Sequence, residues 1–245
     1  MGTIEADAPS GPTTASPGNW WRILSPIGAT IAGLAMAIVT IGLLTPTSLS
    51  EDATGSIATV VGSASLLVFG LALWRGLPRH ERRLALATKG RAGPAIGIGV
   101  LAGFGTMVVA APLFLLGEWL DPSVGRRLDD LADQTQLSGI LWADLLVVVA
   151  LVALAPLGEE LLDRALLLRG LARVVSFLPA AVISSVVFSL SHLDAWVLFL
   201  WPRAIWLVVA GLVFAWVYRE RGYVSAVAAH ATVNGVAAIA LVASS

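Results

Sequence analysis

The 245-residue chain contains no cysteine and a single lysine, Lys89, and only 13% of its side chains are charged. Without cysteine there can be no disulfide, thiolate metal site or cysteine nucleophile, and the redox compartment stays open. So low a charge content excludes an ordinary soluble domain, in which about a quarter of residues are charged. The net charge of −1 offers no basic surplus, so nucleic acid is not an expected partner. No repeat in the 20–50-residue range is evident. The HExxH of helical zinc proteases and the GxSG and GxGD motifs of serine and aspartate intramembrane proteases are also missing.

What is abundant is apolar surface. Hydrophobic residues make up 57% of the chain, and the mean hydropathy is +0.86. These values predict an all-α, polytopic transmembrane helix bundle. Residues 1–19 are rich in Pro, Gly, Ser and Thr and read as a disordered tail. Apolar runs then cover about 23–44, 57–74, 95–116, 140–168, 179–200, 204–218 and 224–242, giving seven candidate spans. Asp194 and Pro202 make the outer end of the fifth compatible with a re-entrant loop. Region 20–136 would hold the first three spans and an acidic external loop at 121–138, and 137–245 the rest. Arg22, the basic loop 75–94, Arg169, Arg173, Arg219 and Arg221 fall on one side of this scheme. The other side carries Arg126, Arg127 and Arg203 against Glu51, Asp52, Glu118, Asp121, Asp129, Asp130 and Asp133. The positive-inside rule therefore puts the N-terminus in the cytoplasm, with the cytoplasmic membrane as the expected location. Gly93, Gly97, Gly99, Gly103 and Gly105 in the third span suggest close helix packing rather than a phosphate loop, which would need a preceding strand.

Against this background the stretch 155–170, APLGEELLDRALLLRG, is anomalous. A charge at the centre of a membrane helix costs about 2.5–3.5 kcal/mol on insertion scales. Here Glu159, Glu160, Asp163 and Arg164 occur within six positions. Glu160 and Arg164 are four apart with the acid first, the favourable order for a helical ion pair, and read as structural support. Glu159 shares a face with Asp163 instead. Two carboxylates on one face in a poor dielectric resist ionising together, which suits Glu159 to accept a proton and makes Asp163 a modulator. Pro156 removes one helix hydrogen bond and frees a carbonyl beside the site. Phe188 and His192 in the fifth span, and His230 and Asn234 in the seventh, are further pairs at helical spacing. A lone buried His or Asn is more often a helix–helix hydrogen bond than a catalyst. A glutamate, two histidines and an asparagine at one depth shift the balance toward a site. His80, among cytoplasmic arginines, is given no role.

The pieces Glu159-Glu160-x-x-x-Arg164, Phe188-x-x-x-His192 and His230-x-x-x-Asn234 resemble, in order and spacing, the motifs of the CPBP family. That family comprises intramembrane endopeptidases, including type II CAAX prenyl proteases and bacteriocin-processing or immunity proteins. The resemblance covers about 137–240 and implies a catalytic region there. It implies that Glu159 is general base to a water, that His192 helps hold this water, and that His230 and Asn234 steady the oxyanion. Glu160 and Arg164 would brace the site, with no cofactor. The partners would be the lipid bilayer and a peptide or membrane-protein substrate. Two positions depart from the pattern, Asp163 standing where an aromatic residue is usual and Ala165 where glycine is usual.

Alternatives stay open at this stage. Glu159, His192 and His230 could together ligate a zinc ion that activates water. A scaffold or immunity protein could retain the fold without proteolysis. A transporter using the buried charges as a relay is disfavoured by the lack of inverted repeats.

Overall fold

The computed structural model describes residues 20–47, 49–134, 137, 139–197 and 199–244. The tail read at 1–19 lies outside the described residues. Those described are almost entirely helical, with one isolated bridge between Thr88 and Gly222.

Helix α1 spans Trp21–Leu44 and α2 spans Glu51–Arg75, its N-terminus capped by the Ser50 hydroxyl, which accepts from the Ala53 N–H at 3.2 Å. A short basic helix, α3, runs Arg79–Ala85, followed by α4, Ala92–Leu120. The amphipathic α5, Ser123–Gln134, lies beyond it. It falls within the stretch expected as an acidic external loop, and it is anchored where its buried Val124 approaches Gly117. Then come α6, Leu141–Leu171, α7, Phe177–Ser191, and the short α8, Leu193–Val197. The chain ends with α9, Trp201–Arg221, and α10, Tyr223–Ser244.

Six of these helices are long and apolar enough to cross a membrane: α1, α2, α4, α6, α9 and α10. The seventh expected span is shorter than the apolar run suggested. At 15 residues α7 is about 22 Å long, less than the roughly 30 Å of a hydrocarbon core. It stops at His192, and α8 with the turn at Phe199 (φ 52°) leads back to Trp201. The run expected as a fifth span at 179–200 is therefore divided between two short helices, α7 and α8.

Helix α6 is the centre of the bundle. Every residue from Leu161 to Leu168 is buried, Asp163 and Arg164 included. Small residues allow its neighbours to come this close. Gly158 lies against the α2 backbone at Leu66 and Leu67, and Gly211 of α9 against Ser185 of α7. On the far side, Gly99 and Gly103 of α4 lie against α10 at Ser225 and Ala229, while Gly93, Gly97 and Gly105 face open space. The close-packing expectation for the glycine row thus holds at two of its five positions. Only one face of α4 meets α10, and glycines off that face meet nothing.

Candidate active site

The site is built on a distorted part of α6. Two stretches, Ala150–Leu154 and Leu161–Leu168, are wound as π-helix, a wider turn frequent at functional positions. In the first, the Ala155 N–H bonds Ala150 O instead of Leu151 O. The next donor in that register would be residue 156, a proline with no N–H. Leu151 O is therefore left to an outside donor, and the Asn234 side-chain amide supplies one at 2.8 Å. The carbonyl expected to be freed by Pro156 exists, and Asn234 reaches it from α10.

Below this point the charged residues converge. Glu160 and Arg164 are fully buried, with Arg164 Nε 3.3 Å from Glu160 Oε2. Arg164 Nη1 lies 3.4 Å from Asp163 Oδ2, and Nη2 donates to Gly211 O at 3.2 Å. The guanidinium also sits over the rings of Phe188 and Phe214, at 4.7 and 5.6 Å from their centroids. A buried cation held by two carboxylates, a carbonyl and two aromatic faces is a bracing element.

Glu160 has a second partner. Its Oε1 lies 3.0 Å from His230 Nδ1. A carboxylate can only accept, so Nδ1 carries the proton and Nε2 is turned outward. His230 is held further by stacking on Phe214, with centroids 5.1 Å apart and planes 18° apart, and by the edge-to-face contact with Phe188. Its Nε2 faces Glu159 Oε2 at 3.9 Å, too far for a direct hydrogen bond. That oxygen of Glu159 is buried and has no hydrogen-bond partner among the described residues.

His192 closes α7. Its Nδ1 donates to Phe188 O at 2.8 Å, which leaves Nε2 as an acceptor. The helical pairing of Phe188 with His192 persists in their ring contact at 4.7 Å. Two cavities meet at His192. One, of about 310 Å³, is lined by Glu159, Asp163, His192 and small residues of α1 and α2 such as Gly33 and Gly62. The other, of about 350 Å³, is lined by His192, His230, Asn234, Phe188 and Phe214.

The structure thus brings Glu159, Glu160 and His230 into one line, with Asp163 beside Glu159 on the same cavity and His192 between the two cavities. Asn234 borders the second cavity, with one amide hydrogen committed to Leu151. Among the described residues, no group of three His, Asp or Glu side chains is arranged to hold a metal ion. Sequence reasoning missed Phe214, the second ring against Arg164, and the ion pair of Arg203 Nε with Asp194 Oδ2 at 2.7 Å. Asp194 borders the cavity of Glu159, and Arg203 borders that of His230. Two opposite charges nine positions apart in an apolar run were the available signal.

Residues 141–236 match a family model described as type II CAAX prenyl endopeptidase Rce1-like. The matched region contains Glu159, Glu160, Asp163, Arg164, His192, His230 and Asn234. No curated protein and no solved structure matches the chain.

Proposed function

From the premise that this chain belongs to the CPBP/CAAX family of membrane-embedded proteases, we propose that it hydrolyses a peptide bond of a membrane-associated substrate with water activated by Glu159. The observation that carries the reading is the alignment Glu160–His230–Glu159 at the edge of the 310 Å³ cavity. Two hydrogen bonds of about 2.8 Å meeting near a right angle span the 3.9 Å between Glu159 Oε2 and His230 Nε2, so one water fits both groups.

In this mechanism Glu159 takes a proton from the water, and the water oxygen bonds to the scissile carbonyl carbon. The negative charge that develops on the carbonyl oxygen needs donors already in place. Asn234 has a second amide hydrogen beyond the one given to Leu151 O. His230 donates from Nε2 when its ring is protonated, a state that the Glu160 carboxylate at Nδ1 balances electrically. His192, with Nε2 free of its proton, accepts a hydrogen bond from the water. The C–N bond then breaks as Glu159 returns the proton to the leaving nitrogen, giving a carboxylic acid and an amine. The cytoplasmic N-terminus and the cytoplasmic membrane belong to this proposal too, on the charge asymmetry of the loops.

The test uses purified protein in bilayers with a farnesylated peptide ending in a CAAX sequence, alongside the same peptide without its lipid. Glu159→Gln is expected to lower cleavage by at least about a thousandfold, on the scale of losing a general base together with its water, with no loss of folded protein. Equal cleavage by wild type and Glu159→Gln would rule the mechanism out. Cleavage lost to a chelator and restored by zinc would move the activated water onto a metal.

A further inference from the structure

On the side of the bundle carrying most basic residues, away from the catalytic line, lies a third cavity of about 240 Å³. It is formed where the segment after α3, the end of α6 and the α9–α10 junction meet. Lys89, Arg169 and Arg219 all line it, and no acidic residue does.

Lys89 and Arg219 are held in place mainly by neutral partners. The Lys89 ammonium donates to Arg219 O, and its backbone N–H donates to Arg221 O at 2.9 Å. Arg169 lines the cavity beside Tyr218, whose hydroxyl donates to Ala85 O at 2.8 Å. Arg219 lies over Phe177 at 4.4 Å and Trp216 at 5.7 Å. Among the described residues its ion-pair partner is Glu220, 3.8 Å away and half exposed. Glu81, which lines another cavity together with Arg169, is already taken by Arg22 and Arg173. Three positive charges therefore converge on one concavity with no carboxylate inside it.

The surface beside this cavity is apolar. Phe177 and Trp216 pack edge to face, and Trp216, Leu178 and Leu84 are exposed. Aromatic and aliphatic side chains displayed at a helix end suit the membrane–water boundary. A cationic pocket edged by exposed apolar surface suits a ligand with an anionic phosphate and attached acyl chains, and basic pockets between transmembrane helices bind such headgroups.

We propose that the Lys89–Arg169–Arg219 cavity binds the phosphate of an anionic phospholipid, whose chains lie against Phe177, Trp216 and Leu178. The ligand is a component of the surrounding bilayer and not the substrate, so the site stands whether or not the protease mechanism does. Occupied, it would tie together the segment after α3, the end of α6 and the α9–α10 junction. The Thr88–Gly222 bridge and the Tyr223 N–H to Ala87 O bond already join two of these.

The experiment titrates the full-length purified protein in detergent with dioleoylphosphatidylglycerol, dioleoylphosphatidylcholine or inorganic phosphate, and counts bound ligand by native mass spectrometry. Phosphatidylglycerol is expected to bind more tightly than phosphatidylcholine. Removing each charge, in Lys89→Gln and Arg219→Gln, is expected to weaken it about fivefold, and about 25-fold in the double variant. Lys89 is exposed, so its variant keeps the test valid if substitution at Arg219 disturbs the fold. Equal affinity for the two lipids, or unchanged binding by Lys89→Gln and the double variant, overturns the proposal. Saturation by inorganic phosphate with no gain from the lipid would assign the cations to a free anion and overturn it as well.

Discussion

Arg164 shows why an intramembrane charge can be structural while its neighbour is reactive. It is completely buried, yet it has Glu160, Asp163, Gly211 O and two aromatic faces around it. Removing one member of a buried ion pair costs about 3–5 kcal/mol, because the partner is left charged without compensation. Arg164→Ala should accordingly lower accumulation and thermal stability in detergent, whereas Glu159→Gln, whose carboxylate lacks such a cage, should leave both near wild type. The double replacement Glu160→Gln with Arg164→Met should recover part of the lost stability, since it deletes one of the two acids that Arg164 balances and leaves Asp163. It should not recover cleavage, since His230 loses the carboxylate that orients it. Thermal melts and peptide cleavage measured on the same preparations separate these outcomes. Recovery of cleavage in the double variant would show that Glu160 has no part in positioning His230.

At the scale of elements, the first π-wound stretch of α6 explains the place of Asn234. A buried carbonyl left without a donor costs about 1–3 kcal/mol. Asn234→Ala exposes Leu151 O to that loss and should destabilise the bundle by a similar amount. Pro156→Ala returns an N–H at the position that the π register directs toward Leu151 O. The cost of Asn234→Ala should therefore shrink in a Pro156→Ala background, a coupling that a double-mutant cycle measures directly. Costs that simply add would mean that proline and asparagine do not share this carbonyl. The junction of α9 and α10 depends in the same local way on Gly222. Its φ of 91° and its contact with Ala87 O leave no room for a side chain. Gly222→Ala should loosen the bridge to Thr88, seen as faster amide exchange at Lys89 and Tyr223, whose N–H groups bond across it.

For the whole molecule, the basic side is tied together by Glu81. This carboxylate joins Arg22 at the start of α1 to Arg173 beyond α6, at 2.8 Å from the latter. Burial pulls its pKa upward, but the Arg22 hydrogen bond and the Arg173 charge outweigh that and hold it below the ordinary glutamate value. A lowered folded pKa contributes stability that is complete above the unfolded value of about 4.3 and fades as pH falls through the folded value. Glu81→Gln should therefore melt well below wild type at pH 7, on the order of 2 kcal/mol for lost charge-assisted hydrogen bonds. The gap should narrow as the pH is brought below about 4. A gap that stays constant with pH would show that the carboxylate charge is not what holds α1, α3 and the end of α6 together.

Much of this protein was readable without coordinates. Hydropathy runs long enough to cross a bilayer leave the backbone no option but helix, because lipid offers no partner for an unpaired N–H or C=O. That argument located the six long spans to within a few residues, and the cost of burying charge singled out Glu159, Glu160 and Arg164. What periodicity alone could not decide was which polar groups meet. Asp163 shares a face with Glu159 by spacing, yet it also reaches Arg164; Asn234 has its amide drawn to Leu151 by a proline five positions on; α7 ends at His192, well before its apolar run does. Each of these depends on another helix: Phe188 and Phe214 enclose Arg164, α10 answers the gap in α6, and Arg203 of α9 meets Asp194 at 2.7 Å. Local sequence dictates how a segment pairs its own backbone in lipid, but the partner of a buried side chain is chosen by packing between segments far apart in the chain.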